Sequence, residues 1–154
     1  MIIRKANLND LEDILNLSRS LLKYEKTFDE TIDVDWFDHG DGTDFVKERI
    51  LNGDGVVFVA VENNKIIGYL VGGSVEADSY RTVRHLAEIE EIMVDASYRG
   101  LSTGSKLIEE FFNWSKDKGF SRMRVVVSAT NIRTISLYKR LQFIDHDMIL
   151  ERQI

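Results

Sequence analysis

Leu8, Leu11, Ile14, Leu15, Leu21 and Leu22 recur at three- and four-residue intervals near the start of the chain. That spacing lines one face of a helix. Asn7, with Asp10 three residues on, supplies the capping pair expected at its start, and the helix is predicted to run to about Lys23. A shorter helix over residues 44–52 presents Phe45, Ile50 and Leu51 and stops at Gly53, a residue suited to a left-handed helix end. The period then becomes extended. Residues 56–61 and 66–71 are β-rich runs joined through Asn63 and Asn64, which tolerate the turn conformations of an antiparallel hairpin. Residues 86–94 read as a third strand. Ile108, Phe111, Phe112 and Ser115 mark a long helix ending near Lys118 at Gly119. Residues 122–128 give a short strand around Val125, Val126 and Val127, residues 131–141 a helix through Ile132, Ile135, Tyr138 and Leu141, and residues 148–151 a last strand.

This order predicts a mixed α/β (α+β) fold, a sheet covered by helices. At 154 residues one domain over 1–154 is expected, long enough to bury about two thirds of its unfolded surface. The absence of cysteine excludes disulfides, cysteine nucleophiles and thiolate metal sites. His39, His85 and His146 lack ligand spacing, so no metal is expected. The opening Met-Ile-Ile-Arg-Lys lacks the apolar core of a signal peptide and no run reaches the ~20 apolar residues that span a bilayer, so the expectation is a cytoplasmic protein with no membrane partner.

The net charge of -6 argues against nucleic-acid binding, which needs concentrated positive charge. Eight acids and one base lie between Glu25 and Asp44, a local balance of -7 that leaves the rest of the chain at +1. Such a segment is either a solvated loop or a mouth that concentrates a cationic amine.

The chemistry is clearest at residues 90–104. A β-branched run ends at Val94, a short loop carries Arg99, Gly100 and Gly104, and an amphipathic helix follows. A helix start offers unpartnered N–H groups and about half a positive charge, which suits a diphosphate. In mixed sheets such ligands collect beyond the carboxyl ends of strands. A phosphate-binding P-loop is a poorer match, with three residues between Gly100 and Gly104 and no lysine after the second, and there is no Gly-x-Ser-x-Gly nucleophile elbow.

These residues resemble the GNAT superfamily of acyl-CoA-dependent N-acyltransferases. Its Arg/Gln-x-x-Gly-x-Gly/Ala loop is matched by Arg99, with Ser102 in place of the first glycine and Gly104 at the last position. Its Asn-x-x-Ala-x-x-Leu-Tyr-x-x-x-Gly-Phe element is matched from Asn131 to Phe143, with Ser136 for alanine and Gln142 for glycine. The resemblance spans nearly the whole chain. It implies a mixed, mostly antiparallel sheet with helices on both faces, acetyl-CoA as co-substrate, an amine or peptide acceptor and, in many relatives, a homodimer. It further implies a cofactor site made of Ile92, Met93, Val94, Arg99, Gly100, Leu101, Ser102, Thr103, Gly104, Ser105, Asn131 and Thr134. Within it the backbone of 92–94 bonds pantetheine like an added strand, the Val94 N–H faces the thioester oxygen and Asn131 contacts the pantetheine arm. If Ser102 must take a positive φ it costs about 1 kcal/mol, although serine is also a good helix cap.

The resemblance assigns Tyr138 to protonate the departing thiolate, with a reference pKa of ~10 against ~8.5 for a thiol. It places Glu90 where several relatives, polyamine acetyltransferases among them, carry a glutamate proposed as base. Strand alternation sets Glu90 and Glu91 on opposite faces, so at most one points at a given site. A carboxylate of ordinary pKa is ~6 units short of deprotonating an alkylammonium, about 8 kcal/mol, so water relay and burial of the amine are expected to share the task. The function expected is acetyl transfer from acetyl-CoA to a primary amine, with a polyamine-like cation favoured by the acidic segment. A peptide acceptor and a non-catalytic acyl-CoA-binding module are the alternatives.

Overall fold

The computed structural model describes residues 1–154. Its first turn is built as the capping pair implies. The Asn7 side chain accepts the Asn9 N–H at 2.9 Å, and the Asp10 carboxylate accepts the Asn7 N–H at 2.8 Å. Asp10 also receives the Arg4 guanidinium in two bonds of 2.7 and 2.8 Å, which hold its carboxyl below the usual carboxylate range. One side chain thus fastens β1 (Ile2–Lys5) to α1 (Leu11–Glu25), the two being joined by a single 3-10 turn at Leu8–Asp10.

A second 3-10 turn, Trp36–His39, buries Phe37 and leads into α2 (Asp41–Leu51). The helix begins three residues earlier than its apolar pattern marks. It also ends differently, with Asn52 turning extended at ψ 136° and Gly53 outside the left-handed region. Asn63 and Asn64 take φ of 50° and 61°, and the tight turn they make joins β2 (Gly55–Glu62) to β3 (Lys65–Glu76) as an antiparallel hairpin. β4 (His85–Val94) pairs antiparallel with β3, and α3 (Thr103–Asp117) ends at Gly119 with φ 82°. β5 (Met123–Val125) then lies parallel to β4, and α4 (Ile132–Arg140) follows.

The five strands follow chain order, β1-β2-β3-β4-β5, in a mixed and mostly antiparallel sheet. Period-2 alternation divides their side chains between two cores. Val56, Phe58, Ala60 and Ile89 meet Leu107, Ile108, Phe111 and Trp114 of α3 and Tyr138 of α4. Val57, Val59, Tyr69, Val71 and Met93 meet Ile14, Leu15 and Leu21 of α1, Val46 of α2 and Phe37.

Two edges depart from the residue pattern. β5 spans three residues, not the seven of 122–128, because only Ala87–Ile89 of β4 face it. Residues 148–151 form no strand and the chain beyond Gln142 carries no regular element, since β-propensity without a paired neighbour makes no ladder.

Candidate active site

β4 and β5 separate after Ile89, leaving the outer edge of residues 90–94 unpaired. Beyond that opening, Asp95 caps a 3-10 turn at Ala96–Tyr98, and the chain enters α3 through Gly100 at φ 82° and Ser102 at φ 62°. Ser102 therefore occupies a left-handed position that favours glycine, and its side chain makes no cap hydrogen bond, so the capping role open to a serine there is not used. The strained turn has a consequence. The N–H groups of Gly100, Leu101, Ser102, Thr103, Gly104 and Ser105 find no acceptor in the chain, and the first bonded amide is Lys106, to the Ser102 carbonyl at 3.0 Å. Six consecutive free donors at a helix start make an anion cradle. A Cβ at Gly104 would project towards Leu137 Cδ2 at 3.7 Å and Val94 Cγ2 at 3.9 Å, so the glycine keeps open the space between the end of β4 and α4.

Asn131 closes the other side. Its Oδ1 caps α4 by accepting the Thr134 N–H at 3.2 Å and also accepts the Tyr24 hydroxyl at 3.5 Å. Its Nδ2 is buried without an acceptor, on a residue only 1% exposed. An orphan donor there costs on the order of 1–3 kcal/mol until something accepts from it. A ligand amide carbonyl, such as pantetheine carries, fits that need. Arg99 does not point at the free amides. Its Nε donates to the Val94 carbonyl at 3.2 Å, and its guanidinium lies 5.5 Å from the Tyr24 ring centroid.

The floor of the α1 side is set by a β-bulge. β3 pairs Val71 with Glu91 and Gly72 with Ile89, so Glu90 is an extra residue with no partner. Alternation is broken there, and both glutamates reach towards the helices α1 and α2, contrary to the opposite faces expected from a regular strand. Their surroundings differ sharply. Arg49 of α2 lies across Gly55 and Gly73, paired glycines whose absent side chains leave it room, and grips Glu90 with bonds of 2.7 and 2.5 Å. Glu88, farther down the strand, pairs with Arg124. Glu91 has no cation beside it. It accepts the Tyr69 hydroxyl at 2.8 Å and the Ser18 hydroxyl at 3.4 Å, and Ser18 also bonds Tyr69 at 2.8 Å. Burial pushes its carboxyl up to about 7, the two hydroxyls pull it down, and the charge of Glu90 adds a further push.

Tyr138 is buried on α4 against Phe143, ring centroids 5.3 Å apart. Burial and the negative charge of Glu25 raise its pKa well above the ordinary phenol value, so it stays a neutral O–H donor. Glu25, at the end of α1, is itself half-buried and its carboxyl is raised by burial, eased by a hydrogen bond with Ser128.

The structure thus brings Val94, the 99–105 turn, Asn131 and Thr134 around one opening and sets Glu90 beneath it in an ion pair. Ser18, Arg49, Tyr69 and Glu25 were not singled out by residue pattern. Two signals exist: Ser18 interrupts the apolar stripe of α1 between Leu15 and Leu21, and Ile89 to Ile92 is a three-residue step inside a strand, the mark of a bulge.

A free-amide cradle where a mostly antiparallel sheet splits beside a parallel strand defines an acyl-CoA-type transferase site. Residues 10–143 match the acetyltransferase (GNAT) family, and the chain belongs to it. It is 31% identical over 148 residues to thialysine N-epsilon-acetyltransferase of Bos taurus, covering 92% of this chain and 82% of that protein. A mutant of the BH1408 protein of Bacillus halodurans has the same fold, with a TM-score of 0.86 at 20% identity over 100% of this chain and 99% of that one. So does aminoglycoside N-acetyltransferase AAC(6')-Iy in complex with CoA, with a TM-score of 0.75 at 18% identity over 99% of each chain. The protein is an N-acetyltransferase that uses acetyl-CoA.

Proposed function

We propose that the protein transfers the acetyl group directly from acetyl-CoA to the primary amine of a small cationic acceptor, both substrates being bound together. The single observation that carries this is Glu91, a carboxylate on the α1 side of the bulge with two hydroxyl donors and no cationic partner. An acceptor ammonium supplies the missing charge. Polyamines belong to that class, and so does the substrate in the name of the thialysine enzyme, 31% identical to this chain.

In this reading the amides of 100–105 hold the diphosphate, Asn131 Nδ2 donates to the pantetheine arm, and the open edge of 92–94 aligns it. The amine nitrogen attacks the acetyl carbon, the C–S bond breaks, and the thiolate takes a proton from the Tyr138 hydroxyl. The amine proton goes to Glu91, directly or through water, while Glu90, fixed by Arg49, maintains the negative field. The magnitudes favour Glu91 for that step. With its carboxyl near 7, proton transfer from an alkylammonium of ~10.4 is uphill by about 5 kcal/mol, against about 8 for an ordinary glutamate.

Thiol release from acetyl-CoA, followed with thialysine, lysine, polyamines, aminoglycosides and neutral peptides, tests the proposal. Highest kcat/KM for small amines bearing a second cationic group is expected. Turnover confined to neutral peptides would remove the cationic-acceptor reading, and tight CoA binding with no turnover on any amine would identify a non-catalytic module.

A further inference from the structure

We infer that residues 147–152 form a strand on the sheet edge of a second copy of this chain, pairing antiparallel with β5 and making a dimer by mutual exchange. Two unsatisfied elements of the same molecule carry this. The outer edge of β5 has no neighbour, and Val126, just beyond it, is 69% exposed. Met123, Val125 and Val127 pack only partly into the α3 side of the core, and Arg124 points the other way to Glu88. The second element is Asp147-Met148-Ile149-Leu150-Glu151, whose apolar residues are 84%, 78% and 86% exposed and touch no core.

The two patterns fit as neighbouring strands. With Ile149 beside Val126, antiparallel pairing sets Met148 by Val127 and Leu150 by Val125 on the apolar face, and Glu151 by Arg124 on the other. An acid thus meets a base, and three exposed apolar side chains meet three valines. A second copy suits this better than the chain's own edge. Lys139 bonds Asp145 at 2.7 Å and Arg81 bonds Asp147 at 2.9 Å, fixing the root of the segment beside the connection that leads into β4. β5 begins at that same end, Met123 pairing with Ala87 near the start of β4, so a strand leaving Asp147 on its own edge can only run parallel to β5. A copy related by a twofold axis presents the edge in the opposite sense, and two exchanged segments close the assembly. Pairing also covers an open edge that would otherwise recruit other chains.

The native chain has no cysteine, which makes cross-linking unambiguous. Sedimentation velocity of the full chain should give 35.6 kDa, twice the 17.8 kDa chain. Val126→Cys mixed with Ile149→Cys under mild oxidation should give a covalent dimer that contains one chain of each variant. Ile149→Asp should sediment as a monomer with an unchanged far-UV spectrum. A disulfide within one chain of the double variant would show pairing in cis, a dimer lacking the mixed cross-link would show another interface, and a monomeric native chain would show no exchange. Each of these three outcomes overturns the inference.

Discussion

Replacing Glu91 with glutamine removes one proton-binding site and preserves the shape of the side chain and its capacity to accept from Tyr69. The folded carboxyl titrates near 7 and an ordinary glutamate near 4.5, a difference of 2.5 units. At 1.36 kcal/mol per unit this is about 3 kcal/mol. The sign follows from proton binding. Between pH 4.5 and 7 the native state holds a proton that the unfolded chain has released, so this group makes stability fall as pH rises through that window and then level off. The glutamine variant lacks the effect. In urea unfolding at pH 5, 6, 7 and 8, the two proteins should be nearly equal at pH 5, and the variant should be the more stable by up to about 3 kcal/mol at pH 8. A stability difference that does not change with pH would refute the reasoning, because Glu91 would then titrate as an exposed carboxylate.

Tyr138→Phe should lower kcat for thiol release by about 100-fold while leaving KM for acetyl-CoA within about twofold, the split expected of a group that acts on the leaving sulfur. Ser102→Gly relieves a left-handed serine and should stabilise the fold by about 1 kcal/mol in denaturant titration, with CoA affinity unchanged. Asn131→Asp keeps the acceptor that caps α4 and loses the buried orphan donor, so calorimetry should show CoA affinity reduced by about tenfold with little change in melting temperature.

Local signals were legible where short-range chemistry alone decides the outcome. Asn63-Asn64 dictates its hairpin, Gly119 ends α3, and Asn7 with Asp10 begins the first turn. The anion-binding turn was visible for the same reason, since free amides follow from a helix starting directly after a short loop. Long-range pairing was less legible. Residues 122–128 and 148–151 have the composition of strands, but strand length depends on what lies alongside, and β5 keeps three residues. The amine side of the site depended on a register slip between β3 and β4, which turned Glu90 and Glu91 to one side and let Arg49 take one of them. Ser18 and Tyr69 reach Glu91 from α1 and β3, and their meeting is a property of packing across 51 residues of chain.

The structure of the protein with CoA tests the central claim most directly. The account predicts diphosphate oxygens within hydrogen-bonding distance of the amides between Gly100 and Ser105, with an acceptor oxygen of the pantetheine arm at Asn131 Nδ2. CoA bound elsewhere while that turn stays empty would contradict it.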